Sequence, residues 1–287
     1  MTIAAAFKFD QGIVVCADTE QTLATLKISR SKVIPHEINT GNAKASLLFC
    51  ISGDVAHATM AVQEIIAAID RQGLTFPSIR SVVKEHLLGI HVQYVFPHPA
   101  TRDGTGPSFQ IIVAGSTADK PTWLLSTSDA AVTEEDKYTC LGAGYSLADF
   151  LADLLYETPA LVNKESAILL AVYILRQVKT YVPYCGGSSE VWVLNESGEM
   201  TSVDAREILD MESFLIAFDS MLSLFFSALS DPSELVITKN GLLVAGLRML
   251  LEAKKDWHKQ KEQRALELLE KPSRLTRSAS QTSEPEQ

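Results

Sequence analysis

The stretch TIAAAFKFDQGIVVCAD, from Thr2 to Asp18, decides the fold. Two strand-like runs, Ile3–Phe9 and residues 13–17, flank the turn sequence Asp10-Gln11-Gly12, which is a β-hairpin signal. A hydroxyl residue, Thr2, stands directly before the first strand. Removal of the initiator methionine would give this threonine a free α-amino group. Such a residue carries both a nucleophile and its own base.

The composition is typical of a globular protein. Of the 287 residues, 46% are hydrophobic and 21% are charged, and a chain of this length can bury a substantial core. The formal net charge of −10 argues against a nucleic-acid partner, because phosphate binding needs a basic surface. No uncharged run approaches the ~20 residues that a bilayer span requires, and no basic and apolar leader opens the sequence. We therefore expect a cytoplasmic protein without a membrane partner.

Metal and cofactor motifs are missing from the sequence. The cysteines are scattered and lack CxxC spacing, so they predict neither a zinc site nor a redox pair: Cys16, Cys50, Cys140 and Cys185. The Gly142-Ala143-Gly144 sequence completes neither a dinucleotide fingerprint nor a P-loop, and close backbone packing at a turn is the simpler interpretation. We therefore expect no metal and no cofactor.

Hydrophobic periodicity orders the other elements of the chain. Strands are predicted at residues 31–34, 45–51, 109–114, 122–126, 138–141, 190–194 and 200–203. Helices are predicted at residues 55–72, 78–95, 145–157 and 164–182. Groups of strands alternate with pairs of helices, which favours a layered α+β sandwich over a doubly wound parallel sheet.

The sequence after residue 204 is first helical and then polar. Helices are predicted at residues 205–211, 214–229 and 242–270, and the tail is rich in Ser, Thr, Pro and Gln. The predicted domains are therefore a globular domain at residues 1–204, a helical extension at 205–271 and a disordered tail at 272–287.

Two further residues are site candidates, each with an ordinary structural alternative. Lys32 precedes the β-branched residues of a predicted strand and can point inward or outward; for such a lysine a solvated side chain is the commonest case. Gly53 lies between an apolar strand and Asp54, the predicted N-cap of a helix, where backbone N–H groups can receive an anion. From spacing alone, a glycine that only allows the turn is the commoner case.

Several short motifs follow one another along the chain. They are N-terminal Thr2, the hairpin with Gly12, Val-Cys-Ala ending at Asp18, Ser-Lys-Val-Ile around Lys32, and Ile-Ser-Gly ending at Gly53. The strand at 111–115, the Gly142-Ala143-Gly144 turn and Cys185-Gly186-Gly187 come next. In this order the sequence resembles proteasome β-subunits and their simpler bacterial relatives, over residues 2–203 or so. The resemblance implies an α+β fold, the four-layer αββα sandwich of the N-terminal nucleophile hydrolases. The helical extension predicted from the sequence after residue 204 follows it.

The resemblance also implies a role for each site residue. Thr2 would be the nucleophile, its Oγ attacking a peptide carbonyl while its α-amino group accepts the proton directly or through a water. Lys32 would be the cation beside that amine, and Asp18 the carboxylate that keeps Lys32 charged and in place. Gly53 would donate a backbone N–H to the oxyanion. The implied partners are a peptide or protein substrate and further copies of the chain in a ring.

The sequence departs from the family pattern at two places. Ala143 stands between two glycines where the family has serine, and Val182-Pro183-Tyr184-Cys185 replaces Asp-x-x-Ser before Gly-Gly. These polar groups normally hydrogen-bond the nucleophile, so their loss leaves Thr2 less well oriented. Two hypotheses remain: a threonine-type amidohydrolase, in particular a peptidase, that works as a homo-oligomer, and a catalytically inactive proteasome-like scaffold or assembly subunit.

Overall fold

The computed structural model describes most of the chain before residue 231. The described residues are 2–23, 26–39, 44–72, 74–99, 106–156 and 163–230, with Arg248, Glu252, Lys255 and Lys259, which are helical. The chain divides into two compact units, Met1–Glu212 and Ser213–Gln287. Apart from those four residues, the predicted helix at 242–270 lies outside the described residues, as does the predicted tail at 272–287.

The strands of the first unit form two antiparallel five-stranded sheets and one separate hairpin. In chain order they are β1 (Ile3–Phe9), β2 (Gly12–Asp18), β3 (Glu20–Leu23), β4 (Leu26–Ser29), β5 (Val33–Asn39), β6 (Lys44–Gly53), β7 (Phe109–Thr117), β8 (Trp123–Ser128), β9 (Ala131–Glu134), β10 (Tyr138–Gly142), β11 (Ser189–Asn195) and β12 (Met200–Ser202). The first sheet has the order β10-β1-β2-β11-β12, and the second has the order β5-β6-β7-β8-β9. Strands β3 and β4 pair only with each other among the described strands.

Five α-helices occur among the described residues. They are α1 (Val55–Gln72), α2 (Phe76–Ile90), α3 (Tyr145–Tyr156), α4 (Lys164–Tyr181) and α5 (Ala205–Ser230), and a π-helix (His91–Val95) continues α2. Pro77 occupies the first turn of α2, where its missing N–H costs nothing. Within the described part of the chain, no helix combines the length and apolar character that crossing a membrane requires.

The position of β1 and β2 in the core explains why their sequences are continuously apolar. Both strands are buried on both faces, so neither face needs polar residues. On one face, alternate residues such as Ala6 and Val15 pack with Leu48 and Ile112 of the second sheet. On the other face, α4 packs against β1, β2 and β11. Helices α1 and α2 cover the second sheet through residues that include Ile65, Ile79, Val83 and Leu87.

The chain is therefore a mixed α/β protein with antiparallel sheets. The predicted hairpin is confirmed: β1 has the predicted bounds, and Ala4 pairs with Ala17 while Phe9 pairs with Gly12. Helix α1 also has the predicted bounds.

Other predictions of secondary structure were incomplete or wrong. The polar stretch at residues 19–30, for which no strand was predicted, contains the hairpin of β3 and β4, and the short strand β9 was missed. Both strands β4 and β9 are largely exposed, so burial imposes no apolar alternation on their sequences. Helix α5 is continuous where two helices were predicted, at 205–211 and 214–229.

Two glycines test the packing of this fold. A Cβ at Gly115 in β7 would lie 2.0 Å from the ring of buried Trp123, whereas a Cβ at exposed Gly89 in α2 would meet no atom within 4 Å. We expect Gly115→Ala to lower the free energy of unfolding by roughly 1–3 kcal/mol, since the indole must move. Gly89→Ala should raise it by roughly 0.5–1 kcal/mol through helix propensity. Urea unfolding measures both; an equal effect of the two substitutions would contradict the packing.

Candidate active site

The first hairpin brings Thr2 and Asp18 together at one end of the first sheet. Because a tight turn fixes the register of β1 and β2, the residue before β1 and the last residue of β2 must lie side by side. The Thr2 hydroxyl donates a hydrogen bond to Asp18 Oδ1 at 2.8 Å, and the Ile3 backbone N–H donates to the same oxygen at 3.1 Å. Thr2 is 3% exposed and Asp18 is fully buried.

Lys32 points into this cluster from the segment before β5. Its ammonium donates to Asp18 Oδ1 at 2.7 Å, to the Glu20 backbone carbonyl at 2.6 Å and to Thr2 Oγ1. Three bonds use the full donor capacity of an ammonium group. With the residue 3% exposed, the alternative of a solvated lysine is wrong.

The Glu190 carboxylate on β11 fixes the backbone beside Lys32. It accepts hydrogen bonds from the Lys32 N–H at 3.2 Å, from the Ser31 hydroxyl at 2.8 Å and from Trp192 Nε1 at 3.0 Å. The bonds from Ser31 and Lys32 hold the start of β5 against the first sheet, and the bond from Trp192, on the same strand as Glu190, fixes the carboxylate. The direction of the Lys32 side chain therefore follows from a contact between segments far apart in sequence.

Gly53 ends β6 at the same site. Its φ is +88°, and a Cβ there would lie 2.3 Å from the Ser108 carbonyl oxygen, so both backbone conformation and space favour glycine. The next residue, Asp54, accepts a hydrogen bond from the His57 N–H at 3.1 Å, which confirms the predicted N-cap. Burial raises the pKa of the Asp54 carboxyl, but the hydrogen bonds from His57 outweigh this, and the pKa lies below its ordinary value.

A pocket of about 280 Å³ opens beside these residues. Thr2, Lys32 and Gly53 all line it, together with strand β3 and the first turn of α1. Of the four predicted site residues, Thr2, Asp18 and Lys32 are in mutual contact, and Gly53 lines the same pocket as Thr2 and Lys32.

Backbone groups that sequence reasoning did not find complete the cluster. The Gly144 N–H donates to the Thr2 carbonyl at 3.3 Å, and the Gly186 N–H donates to Asp18 Oδ2 at 2.9 Å. Gly142 has a φ of +93°, and a Cβ there would lie 2.3 Å from the Thr2 carbonyl oxygen and 2.5 Å from Ser52 Oγ. In the sequence, only the two glycine turns could have indicated these donors. A backbone N–H is present in almost every residue, so residue type does not identify it.

The structure also describes the two places where the sequence departs from the family pattern, at Ala143 and at residues 182–185. Ala143 is exposed, whereas Cys185 is buried, with its Sγ 3.4 Å from where a Cβ on Gly144 would lie. Burial raises the pKa of the Cys185 thiol to about 11; the charge of Asp18 adds to this and that of Lys32 opposes it. The thiol is therefore neutral at physiological pH. Among the described residues, no three His, Cys, Asp or Glu side chains group together as metal ligands.

No protein-family model matches the sequence, and no curated protein matches it. Solved structures of bacterial Anbu, a proteasome-related β-subunit, do match the fold. An Anbu mutant from Hyphomicrobium sp. strain MC1 superposes with a TM-score of 0.63 at 13% identity, covering 82% of this chain and 100% of that one. This chain has the Anbu fold.

Two other Anbu structures give the same result. Anbu, named as an ancestral β-subunit, from Yersinia bercovieri has a TM-score of 0.61 at 12% identity, with 82% of this chain and 100% of that one covered. The subunit of the helical Anbu assembly from Pseudomonas aeruginosa has a TM-score of 0.62 at 16% identity, with 82% and 99% covered. The three superpositions therefore show that this chain shares the fold of the Anbu subunits.

The buried ion pair gives a test of the site that does not depend on activity. Asp18→Asn or Lys32→Met alone leaves one charge buried without its partner, so each should lower the free energy of unfolding by roughly 3–5 kcal/mol. The double variant should lose less than the sum of the two, with a coupling of at least about 1 kcal/mol. Denaturant unfolding measures all four proteins.

A partly exposed pair serves as the control for this cycle. Arg80 and Glu134 are 3.9 Å apart, and Arg80→Met with Glu134→Gln should couple by less than about 1 kcal/mol. If the losses in free energy of unfolding at Asp18 and Lys32 simply added in the double variant, the two residues would not be energetically coupled, and the buried ion pair would be contradicted.

Proposed function

We propose that the chain is a threonine-type N-terminal nucleophile amidohydrolase that cleaves peptide bonds. One observation supports this above the others: Thr2 Oγ1, Asp18 Oδ1 and Lys32 Nζ are bonded to one another in a buried cluster beside an open pocket. A hydroxyl that contacts an ammonium is suited to nucleophilic attack, because the cation stabilises the negative charge that develops on the oxygen.

The proposed reaction begins with removal of Met1, which lies outside the described residues. The Thr2 hydroxyl oxygen attacks the peptide carbonyl carbon, and the freed α-amino group of Thr2 takes the hydroxyl proton. The backbone N–H of Gly53 donates to the oxyanion; one such donor typically contributes about 3 kcal/mol. Collapse of the intermediate breaks the carbon–nitrogen bond, and the proton passes to the leaving amine. Water then hydrolyses the ester and restores Thr2.

The chain has its own means of orienting Thr2 in this proposal. The polar side chains expected at positions 143 and 182–185 are replaced, but the N–H groups of Gly144 and Gly186 hold the Thr2 carbonyl and the Asp18 carboxylate. These donors fix the Thr2 backbone and the carboxylate that its hydroxyl contacts, so they orient the residue without bonding its hydroxyl or amine directly. This supports activity over an inert scaffold.

The finer architecture is also part of the proposal. We propose that α1 and α2 on one sheet, and α3 and α4 on the other, make a four-layer αββα sandwich. The shared core between the sheets and the contacts of α4 with β1, β2 and β11 support it. The domain boundaries at 204/205 and 271/272 and the cytoplasmic location stay predictions.

Labelling of the N-terminal residue tests the proposed nucleophile. Intact mass should show that Met1 is absent, and a β-lactone or epoxyketone probe should then add one equivalent to Thr2. Thr2→Ser should keep the labelling, since it retains the hydroxyl, and Thr2→Ala should abolish it. Alanine is small enough for the same removal of Met1, so this control keeps the free amine. A retained Met1, or labelling that survives Thr2→Ala, would refute the proposal.

We also propose that the chain works as a homo-oligomer. Leu88 in α2, Val92 in the π-helix and Phe96 directly after it are exposed and recur every four residues, and exposed apolar patches mark interaction surfaces. The Anbu protein of Pseudomonas aeruginosa forms a helical assembly, which supports self-association for a chain of this fold.

Light scattering at micromolar concentration should therefore detect a species larger than a monomer. Replacing Val92 and Phe96 together by serine should reduce its mass, because the apolar stripe is lost. Phe150→Ser on α3 is the control: it removes an exposed aromatic side chain outside this stripe and should leave the mass of the oligomer unchanged. A monomeric wild-type chain would contradict the proposal.

A further inference from the structure

The turn before β11 places a backbone donor on Asp18, and it contains two consecutive glycines. The Gly186 N–H donates to Asp18 Oδ2 at 2.9 Å, and Gly187 has a φ of +73°. Glycine restricts the backbone less than any other residue, so a Gly-Gly sequence does not fix the direction of this N–H by itself. Contacts from outside the turn must hold it in place.

The segment that follows β2 holds one side of this turn. The Thr19 N–H donates to the Ser188 carbonyl at 2.9 Å, and the Ser188 N–H donates to Thr19 Oγ1 at 2.9 Å. The Glu20 N–H donates to the Gly186 carbonyl at 3.1 Å. These three bonds hold residues 186 and 188, and they do not involve the residues that alternate with them.

Lys179, in the last turn of α4, holds the other side of the turn. Its ammonium donates to the Ser189 hydroxyl at 2.7 Å and to the Gly187 carbonyl at 3.4 Å. It also donates to Glu212 Oε1 on α5 at 2.8 Å, and the Ser189 hydroxyl donates to the same oxygen at 2.8 Å. The turn is therefore tied on both sides, to the segment beside Asp18 and to two helices.

The Lys179 ammonium has a fixed position in this cluster. The side chains of Lys179 and Glu212 are only 14% and 19% exposed, so water competes weakly for their bonds. The three acceptors use the full donor capacity of an ammonium group, and a bond between two charged groups is among the stronger hydrogen bonds. The last turn of a helix also favours a cation. Lys179 is thus a rigid support for the turn.

The strand register connects this support directly to the candidate site. Ser189, the first residue of β11, lies opposite Asp18, the last residue of β2. Gly186, whose N–H holds the Asp18 carboxylate, is three residues earlier. A shift of Ser189 therefore moves both the strand beside Asp18 and the turn that carries the donor.

We propose that Lys179 is a positioning residue for the reaction of Thr2. Together with Glu212 it holds the turn so that the Gly186 N–H fixes the Asp18 carboxylate, whose other oxygen contacts the Thr2 hydroxyl at 2.8 Å. The described residues that line the pocket beside Thr2 do not include Lys179, so it acts through Asp18 and not on the substrate. The effect on the reaction rests on the proposed function, but the effect on the turn does not.

Labelling kinetics with an epoxyketone peptide separate positioning from binding. Lys179→Met keeps a long unbranched side chain but loses the charge and all three donors. We expect the limiting rate constant of Thr2 labelling to fall about tenfold, while the probe concentration that gives half of this rate changes by less than about twofold. A smaller folded fraction would lower the amount of labelled protein without changing the limiting rate constant.

Two other lysine variants are the controls. Lys179→Arg keeps a cation with hydrogen-bond donors and should recover most of the rate that Lys179→Met loses. Lys120 is another partly buried lysine that pairs with a glutamate, Glu134. It bonds to Thr117, at the end of β7 opposite to the end that pairs with Gly53. Lys120→Met should change the limiting rate constant by less than about twofold. An equal fall in Lys120→Met and Lys179→Met would overturn the inference.

Ser189→Ala is a milder variant that keeps the inference testable if Lys179→Met does not fold. It removes one hydroxyl from the cluster and should lower the limiting rate constant by about threefold. An unchanged limiting rate constant in Lys179→Met, or in Ser189→Ala if Lys179→Met does not fold, would overturn the positioning role.

Hydrogen–deuterium exchange separates this inference from the proposed function. Amide exchange in a peptide covering residues 183–190 should be faster in Lys179→Met than in the wild type, and unchanged in Lys120→Met. If wild-type Thr2 is never labelled but this difference in exchange is found, the proposed function fails and the support of the turn by Lys179 stands. If Thr2 is labelled with the same limiting rate constant in both proteins, the function stands and the positioning role fails.

Discussion

The buried carboxylate of Asp18 is the group on which the candidate site depends. Its Oδ1 accepts hydrogen bonds from the Thr2 hydroxyl, the Ile3 N–H and the Lys32 ammonium, and its Oδ2 accepts one from the Gly186 N–H. These donors come from the start of β1, the segment before β5 and the turn before β11. A buried charge is tolerated only when it is paired and hydrogen-bonded, so this one group holds three distant segments together.

Local patterns were enough to predict the parts of the fold whose burial is regular. The first hairpin is apolar on both faces because sheet and helix cover it, and α1 has one apolar face at helical spacing; both were found with their bounds. The hairpin of β3 and β4 was not found, because each strand has only four residues and β4 is exposed along its whole length, so neither strand carries a core-facing pattern long enough to recognise. The π-helix after α2 was not found either, because its composition continues the helical pattern.

The candidate site likewise contains groups that could be predicted from the sequence and groups that could not. Thr2, Asp18 and Lys32 could be named from the order of short motifs, because their functional groups belong to the residue type. Gly53 could be named only through the family resemblance, because its proposed role uses a backbone N–H. The inward direction of Lys32 could not, since it follows from the contacts of its backbone with Glu190. The N–H groups of Gly144 and Gly186 and the Glu20 carbonyl could not be predicted, because every residue has such groups and only the fold places them.

The separate hairpin of β3 and β4 has a consequence for how this protein can vary. It carries Glu20, Gln21, Thr22 and Lys27, yet among the described strands it belongs to neither five-stranded sheet. Its side chains can therefore be exchanged without repacking the core that fixes Asp18 and Lys32. Side-chain substitutions on this hairpin can alter the lining of the pocket while the Glu20 backbone carbonyl, which accepts a hydrogen bond from the Lys32 ammonium, stays in place.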